Sequence, residues 1–461
     1  MHFFKGGYLI SVLKKRKLIT NISGLQSFQL LKFLVFFIIS VALTKFHYTS
    51  AEIGEWEMFL FVASLVTFFW VTGIIQSLLP LYNRNHTFNK NGGNTNEKSP
   101  EIFNAFLLLC LFSLAIFAIG HIFNIRLSIF DQAENRKFFN LLLIYVVLSS
   151  PVCLIEYIYL LKNRSYRILQ YSIYTFSAQL IFIMVPLIMK ADIVYAIHGL
   201  LAICVVRWIW LIVLLKKYAK FEFSYDFMKE HMYIAMPLII TTLISGSAQY
   251  IDGVITNGYY KDPATFAWFR YGAKEFPLSL MLATGLSNAM LPEFATVEKM
   301  KVSLEKIKEE SKKIMHILFP LTMVVMFFTR WGYPRLFSPE FHMSTGVFMV
   351  YLLLTIPRLV FPHTILIGRK KTRVTLVAAI LEFALNIPLS LKMLDWGYGY
   401  VGVAVATLIV YIVSKAFLVV YLWLKMGIKP AEYIPIKVYL MYSALLTLLF
   451  VLIDHRIIDF S

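Results

Sequence analysis

The sequence predicts an all-α integral membrane fold of about 12–14 transmembrane helices, arranged as two parallel six-helix bundles around a central cavity. Three observations lead there. Of 461 residues, 59% are hydrophobic and 15% charged, against about 25% charged in soluble domains; the mean hydropathy is +0.70. Apolar runs of roughly 20 residues, enough to cross about 30 Å of hydrocarbon, recur from Leu30 to Ile453. One nine-residue stretch also appears twice in matching register.

The runs place crossings near 27–45, 56–80, 101–123, 137–161, 167–189, 193–215, 231–255, 264–289, 312–331, 344–366, 371–393, 398–424 and 436–454. Before the first, MHFFKGGYLISVLKKRKL is apolar for too short a span and lacks a small-residue cleavage site, so it reads as an interfacial lead-in. Alternate gaps hold KKRK at 14–17, KNRSYR at 162–167, Lys216, Lys217 and Lys220, the run KMKVSLEKIKEESKK, and GRKKTR at 368–373. The intervening gaps are poor in Lys and Arg. The positive-inside rule assigns the rich side to the cytoplasm, with the N-terminus inside. The formal charge of +18 therefore marks one membrane face and gives no sign of nucleic acid. The Asn/Gly-rich 83–101 reads as a flexible connector and 295–313 as an amphipathic surface helix. The organisation expected is an N-terminal bundle over 1–218, a cytoplasmic linker at 219–230, a C-terminal bundle over 231–425, and an extra helix within 426–461.

The second crossing ends TGIIQSLLP (72–80) and the eighth ends TGLSNAMLP (284–292), at an offset of 212 residues. Six crossings separate the copies, so a duplicated unit keeps its orientation. Two parallel halves result, with the cavity between them.

Ten charged residues fall inside predicted crossings: Lys32, Glu156, Arg207, Asp252, Arg270, Lys274, Glu275, Arg358, Glu382 and Lys415. Each costs at least about 2.5–3.5 kcal/mol at the bilayer centre, and such groups normally face a bundle interior or a watery path. Internal pairing is the bland account of any one of them. Together they are six cations against four anions, and that surplus invites an anionic ligand. Arg binds two phosphate oxygens with its planar fork, and Lys acts as a movable point charge. Arg270 and Lys274, at i and i+4 of the eighth crossing, are the first candidates for phosphate contact, followed by Arg207, Arg358 and Lys415. Lys32 is the weakest candidate for phosphate contact, because a place near the cytoplasmic face would let it snorkel. Glu275, Asp252, Glu156 and Glu382 are candidates for pairing or for a coupling cation or proton. Pro237, Pro277, Pro357, Pro362 and Pro388 permit bending within or near the crossings. Cys110, Cys153 and Cys204 lie in apolar runs without metal-like spacing, so no metal or cofactor is expected.

The segment NIPLSLKMLDWGYGYVGVAVATLIVYIVSKAF (386–417) resembles polysaccharide flippases of the multidrug/oligosaccharidyl-lipid/polysaccharide exporter superfamily. The matching residues are Asn386, Ile387, Leu389, Gly399, Gly402, Ala404, Ala406 and Thr407. SAEIGEWEMFLFVASLVTFFWVTGIIQSLLPLY (50–82) is similar to the family's first outer loop and second helix, with the usual aromatic pair around the glycine altered to GEWEMF. The resemblance implies a flippase in the bacterial inner membrane moving an undecaprenyl-pyrophosphate-linked oligosaccharide outward, for O-antigen or capsule; alternating access by rocking of the two bundles is the mechanism expected of the duplicated halves. It also implies membrane lipids and polysaccharide polymerase machinery as partners, and no enzymatic step. The alternative within the superfamily is a cation-coupled multidrug exporter, which would favour an acidic, aromatic cavity over a basic one. A membrane-embedded polymerase would present a sizeable outward loop with acid/base residues, and no outward segment here exceeds about 15 residues.

Overall fold

The computed structural model describes residues 21–87, 98–122, 136–294 and 300–455. The interfacial lead-in at 1–18 and most of the 83–101 connector lie outside them. The described residues are overwhelmingly helical. In chain order the helices are α1 (Asn21–Lys45), α2 (Ser50–Thr87), α3 (Pro100–Ile122), α4 (Arg136–Val152), α5 (Leu154–Leu161), α6 (Ser165–Ile188), α7 (Ile193–Tyr218), α8 (Tyr225–Tyr260), α9 (Pro263–Gly272) and α10 (Pro277–Met290). Then come α11 (Met300–Leu336), α12 (Thr345–Leu353), α13 (Thr355–Arg358), α14 (Pro362–Gly368), α15 (Thr372–Asp395), α16 (Gly399–Met426), α17 (Pro430–Tyr433) and α18 (Ile436–Asp454).

Among the described residues ten spans are long and apolar enough to cross a membrane, one of them Phe138–Leu161 through α4 and α5 together, and eleven if the bent pair Pro339–Arg358 and Pro362–Gly368 counts as one span. The expected crossing at 231–255 lies within the 36-residue α8. The last apolar segment is a span by length and composition, Ile436–Asp454. Residues 300–313 do not form a separate surface helix. They are the start of the continuous α11, which runs on through the expected crossing at 312–331.

Two compact units divide the chain: 1–48 with 59–243, and 49–58 with 244–461. Each contains a close approach that brings charged side chains together. In the first unit α6 and α7 are so near that a Cβ on Gly199 would lie 2.5 Å from the Phe182 carbonyl oxygen. In the second, a Cβ on Gly54 would lie 1.9 Å from the Pro263 carbonyl oxygen, so only glycine lets the first turns of α2 rest on the start of α9.

The eighth crossing is not one helix. Asp262 caps α9, its carboxylate accepting from the Ala264 and Thr265 amides at 3.3 and 2.9 Å, with Pro263 at the first position. The helix stops at Gly272 because Pro277 has no N–H to continue the ladder and holds Phe276 extended at φ −64°, ψ 111°. Lys274, Glu275 and Phe276 thus sit in a break between α9 and α10. A second break follows Arg358, where α14 restarts at Pro362 and the axis bends by 47°.

Candidate functional site

The two breaks meet. In the second unit the Glu275 carboxylate accepts from the Arg358 guanidinium, joining the gap after α9 to the gap after α13. The Arg358 guanidinium carbon lies 5.5 Å from the centre of the Tyr411 ring, and Lys415 Nζ lies 5.4 Å from the same ring. Glu382 hydrogen-bonds Ser414 and is within electrostatic reach of Lys415 and Arg358. Four residues singled out from sequence, Glu275, Arg358, Glu382 and Lys415, with Tyr411 and Ser414 beside them, therefore form one belt across the break after α9 and helices α13, α15 and α16.

Arg270 and Lys274 also converge, although the break removes the single helix face expected of them. Both turn to Glu57 on α2, with Nε 4.0 Å and Nζ 3.7 Å from its carboxylate oxygens. Lys274 Nζ lies 3.9 Å above the centre of the Tyr271 ring, a cation–π contact that adds to its retention. The side chains of Arg270 and Lys274 remain 29% and 28% exposed while Glu57 is 6% exposed. One buried carboxylate is thus shared between two accessible cations at distances longer than a close charged hydrogen bond of about 2.7–2.9 Å.

Asp252 is held differently. Its carboxylate accepts from Thr407 Oγ1 at 2.5 Å, Tyr351 Oη at 2.9 Å and Asn386 Nδ2 at 3.2 Å. Asn386 also donates to Thr407 Oγ1 at 2.9 Å, and its own oxygen accepts from Ser390 at 2.7 Å. Every donor around this buried carboxylate is neutral. Tyr351 lies within electrostatic reach of Glu275 and Arg270 as well, linking Asp252 to the rest of the belt.

The remaining three candidates lie in the first unit. Arg207 on α7 donates from Nη2 to Gln179 Oε1 on α6 at 2.8 Å, and its guanidinium carbon is 5.4 Å from the Phe176 ring centre. Glu156 on α5 is buried, and Lys32 and Arg207 act on it electrostatically. Lys32 is exposed.

Sequence reasoning missed Glu57. It occupies the altered stretch GEWEMF, so the departure from the aromatic pattern was its signal. Its inclusion changes the charge count from six cations against four anions to six against five. In the second unit Arg270, Lys274, Arg358 and Lys415 face Glu57, Asp252, Glu275 and Glu382. In the first, Lys32 and Arg207 face Glu156.

Compared with known proteins, residues 61–458 match the profile of the lipid II flippase MurJ family. Among solved structures, the chain is similar to a lipid II flippase MurJ in an inward closed conformation, at 18% identity over 94% of this chain and 93% of that one, with a TM-score of 0.66. It is also similar to an inward-facing multidrug resistance MATE family transporter of the MOP superfamily, at 13% identity over 88% and 98%, TM-score 0.61. A MOP superfamily transporter from Pyrococcus furiosus, whose binding pocket is described as reversed in polarity, follows at 14% identity over 88% and 92%, TM-score 0.52. These likenesses establish the fold. A comparison with curated protein sequences finds no match.

Proposed function

Because that profile spans most of its length, the chain belongs to the lipid II flippase MurJ family, and from this premise we propose that it flips a polyprenyl-pyrophosphate-linked saccharide from the inner to the outer leaflet, gripping the phosphates with Arg270 and Lys274. The chain is a multi-pass membrane protein of a lipid II flippase family. The observation that carries the proposed grip on phosphate is the sharing of buried Glu57 by two accessible cations at 3.7 and 4.0 Å. A phosphate offers several oxygens with more than one charge, so it competes well for a fork and an ammonium that hold their resident carboxylate loosely. The break at 273–276 supports the same reading, since discontinuous membrane helices free backbone groups to face a ligand.

In this mechanism the polyprenyl chain stays in lipid while the headgroup is exposed alternately to the two membrane faces. On the cytoplasmic-N-terminus orientation expected from the loop charges, an inside-negative potential favours outward movement of an anion by about 2.3 kcal/mol per charge per 100 mV. Asp252, ringed by neutral donors, is the best placed of the acidic candidates to exchange those donors for a coupling cation or proton.

Lipid II and the lipid-linked repeat units of O-antigen or capsule share the phosphate chemistry. Reconstituted vesicles carrying either lipid, with the outer-leaflet headgroup titrated by an impermeant reagent, test the proposal and separate the two glycans. Arg270→Gln with Lys274→Gln is expected to abolish flipping of whichever lipid the chain accepts, at normal insertion. Flipping by that double variant at the parent rate would remove both residues from the mechanism.

A further inference from the structure

By count the first unit, with Lys32 and Arg207 against Glu156 among the charged residues singled out above, carries one cation more than it has carboxylates. Arg207 and Gln179 both sit near the middle of their helices, α7 and α6. Among the described residues Arg207 makes no ion pair, and its hydrogen bond goes to a neutral amide oxygen. Its Nε–H is buried without a partner, and so is Gln179 Nε2. Gln179 is 1% exposed. Two donors are thus left open beside a guanidinium in a helix that spans the membrane by length and composition. An open buried donor carries the desolvation cost of its lost water, and a charged one carries more.

The neighbouring indoles show that this region normally satisfies its buried donors. Trp208 Nε1 donates to the Leu148 carbonyl at 2.8 Å, and Trp210 Nε1 donates to Tyr159 Oη at 2.9 Å. Glu156 does not neutralise Arg207. It feels both Lys32 and Arg207, two cations to one carboxylate, and forms an ion pair with neither among the described residues. What fits two N–H donors next to surplus positive charge is an acceptor with negative charge and more than one oxygen.

We propose that Arg207 and Gln179 form an oxyanion-binding site inside the N-terminal unit, taking a phosphate or a sugar carboxylate, in addition to the Arg270–Lys274 site. The Arg207 Nε–H and the Gln179 Nε2 amide donate to the anion's oxygens, and the Phe176 ring supports the guanidinium from its face. The close packing of α6 on α7 at Gly199 brings donor and cation together. Use of this site by the transported lipid rests on the function proposed above; the binding itself does not.

The test uses the full-length protein in detergent, with inorganic pyrophosphate as the phosphate probe and glucuronate as the carboxylate probe, followed by calorimetry and by thermal melting. In an Arg270→Gln, Lys274→Gln background the chain is expected to keep one oxyanion site. Gln179→Leu, which leaves every charge in place, is expected to weaken that site about tenfold, the loss of one charge-assisted hydrogen bond. Arg207→Gln is expected to abolish it. The probe that binds tighter identifies the source, phosphate headgroup or acidic sugar. The proposal is overturned if the background variant binds neither probe, water alone then filling the site, or if Gln179→Leu binds as tightly as its parent. Should Arg207→Gln fail to fold, Gln179→Leu still decides. Normal flipping by the Arg270/Lys274 double variant would sink the proposed function while leaving this site standing.

Discussion

Replacing Glu57 by Gln keeps the side chain's shape and removes the charge that Arg270 and Lys274 share. Two effects of opposite sense result. At the observed 3.7 and 4.0 Å, opposite charges in an effective dielectric of about 20 attract by about 4 kcal/mol each. Desolvation and the partial exposure of both cations reduce the net worth to about 1 kcal/mol or somewhat more. The unliganded variant is therefore expected to melt below the parent, with two like charges left facing each other. Pyrophosphate, in contrast, no longer has to displace a resident carboxylate. If a third of one such attraction is relieved, about 1.4 kcal/mol, affinity rises tenfold. Thermal melting against pyrophosphate concentration reads both effects in one experiment: a lower start, a lower half-saturating concentration and a larger ligand-induced rise. A Glu57→Gln chain that melts like the parent and titrates with the same midpoint would refute the idea that this carboxylate holds the place of the substrate phosphate.

Three further outcomes are expected from the same geometry. Gly54→Ala forces a Cβ to within 1.9 Å of the Pro263 carbonyl oxygen; it should destabilise the chain by about 1–3 kcal/mol, as overpacking does, and mimic the tighter pyrophosphate titration of Glu57→Gln by pulling Glu57 away. Asp252→Ala leaves the Tyr351, Thr407 and Asn386 donors without their acceptor, at about 1–3 kcal/mol per unsatisfied group, so its melting point should fall well below that of Asp252→Asn; equal melting would show that the network bears no stability. Glu275→Arg and Arg358→Glu should each impair flipping, and the exchange of the two charges in the double variant should restore part of it, with a coupling of about 0.5–3 kcal/mol in a double-mutant cycle on stability.

What was legible in the sequence was whatever depends on composition averaged over a membrane thickness. Twenty apolar residues declare a span. The likeness to flippases was likewise legible in Asn386, Thr407 and the small residues between them, but only the fold places Asn386 and Thr407 on Asp252. The break at 273–276 was hidden because four residues barely alter a twenty-residue average; Pro277 was visible, but proline kinks a membrane helix more often than it severs one. Glu57 was hidden for a related reason. The hydropathy-based crossing begins at 56, which makes residue 57 look like a helix end, whereas α2 begins at Ser50 and carries it two turns inward. Partners across sequence separations of some two hundred residues, such as Glu57 with Arg270 and Lys274, have no local signal at all.

The equal count of cations and carboxylates in the second unit does not make it electrostatically indifferent. Glu57, Glu275 and Glu382 have cations at or near them, but Asp252 commits its acceptor capacity to a hydroxyl, a phenol and an amide. Coulomb energy falls with distance, and hydrogen bonds from neutral groups already stabilise that carboxylate, so its hold on the four cations is the weakest of the four. An entering anion therefore meets four cations opposed at ion-pair distance by two carboxylates, Glu275 on Arg358 and Glu57, which is divided between Arg270 and Lys274. The preference for phosphate comes from how the carboxylates are engaged, a property that a tally of residue types does not contain.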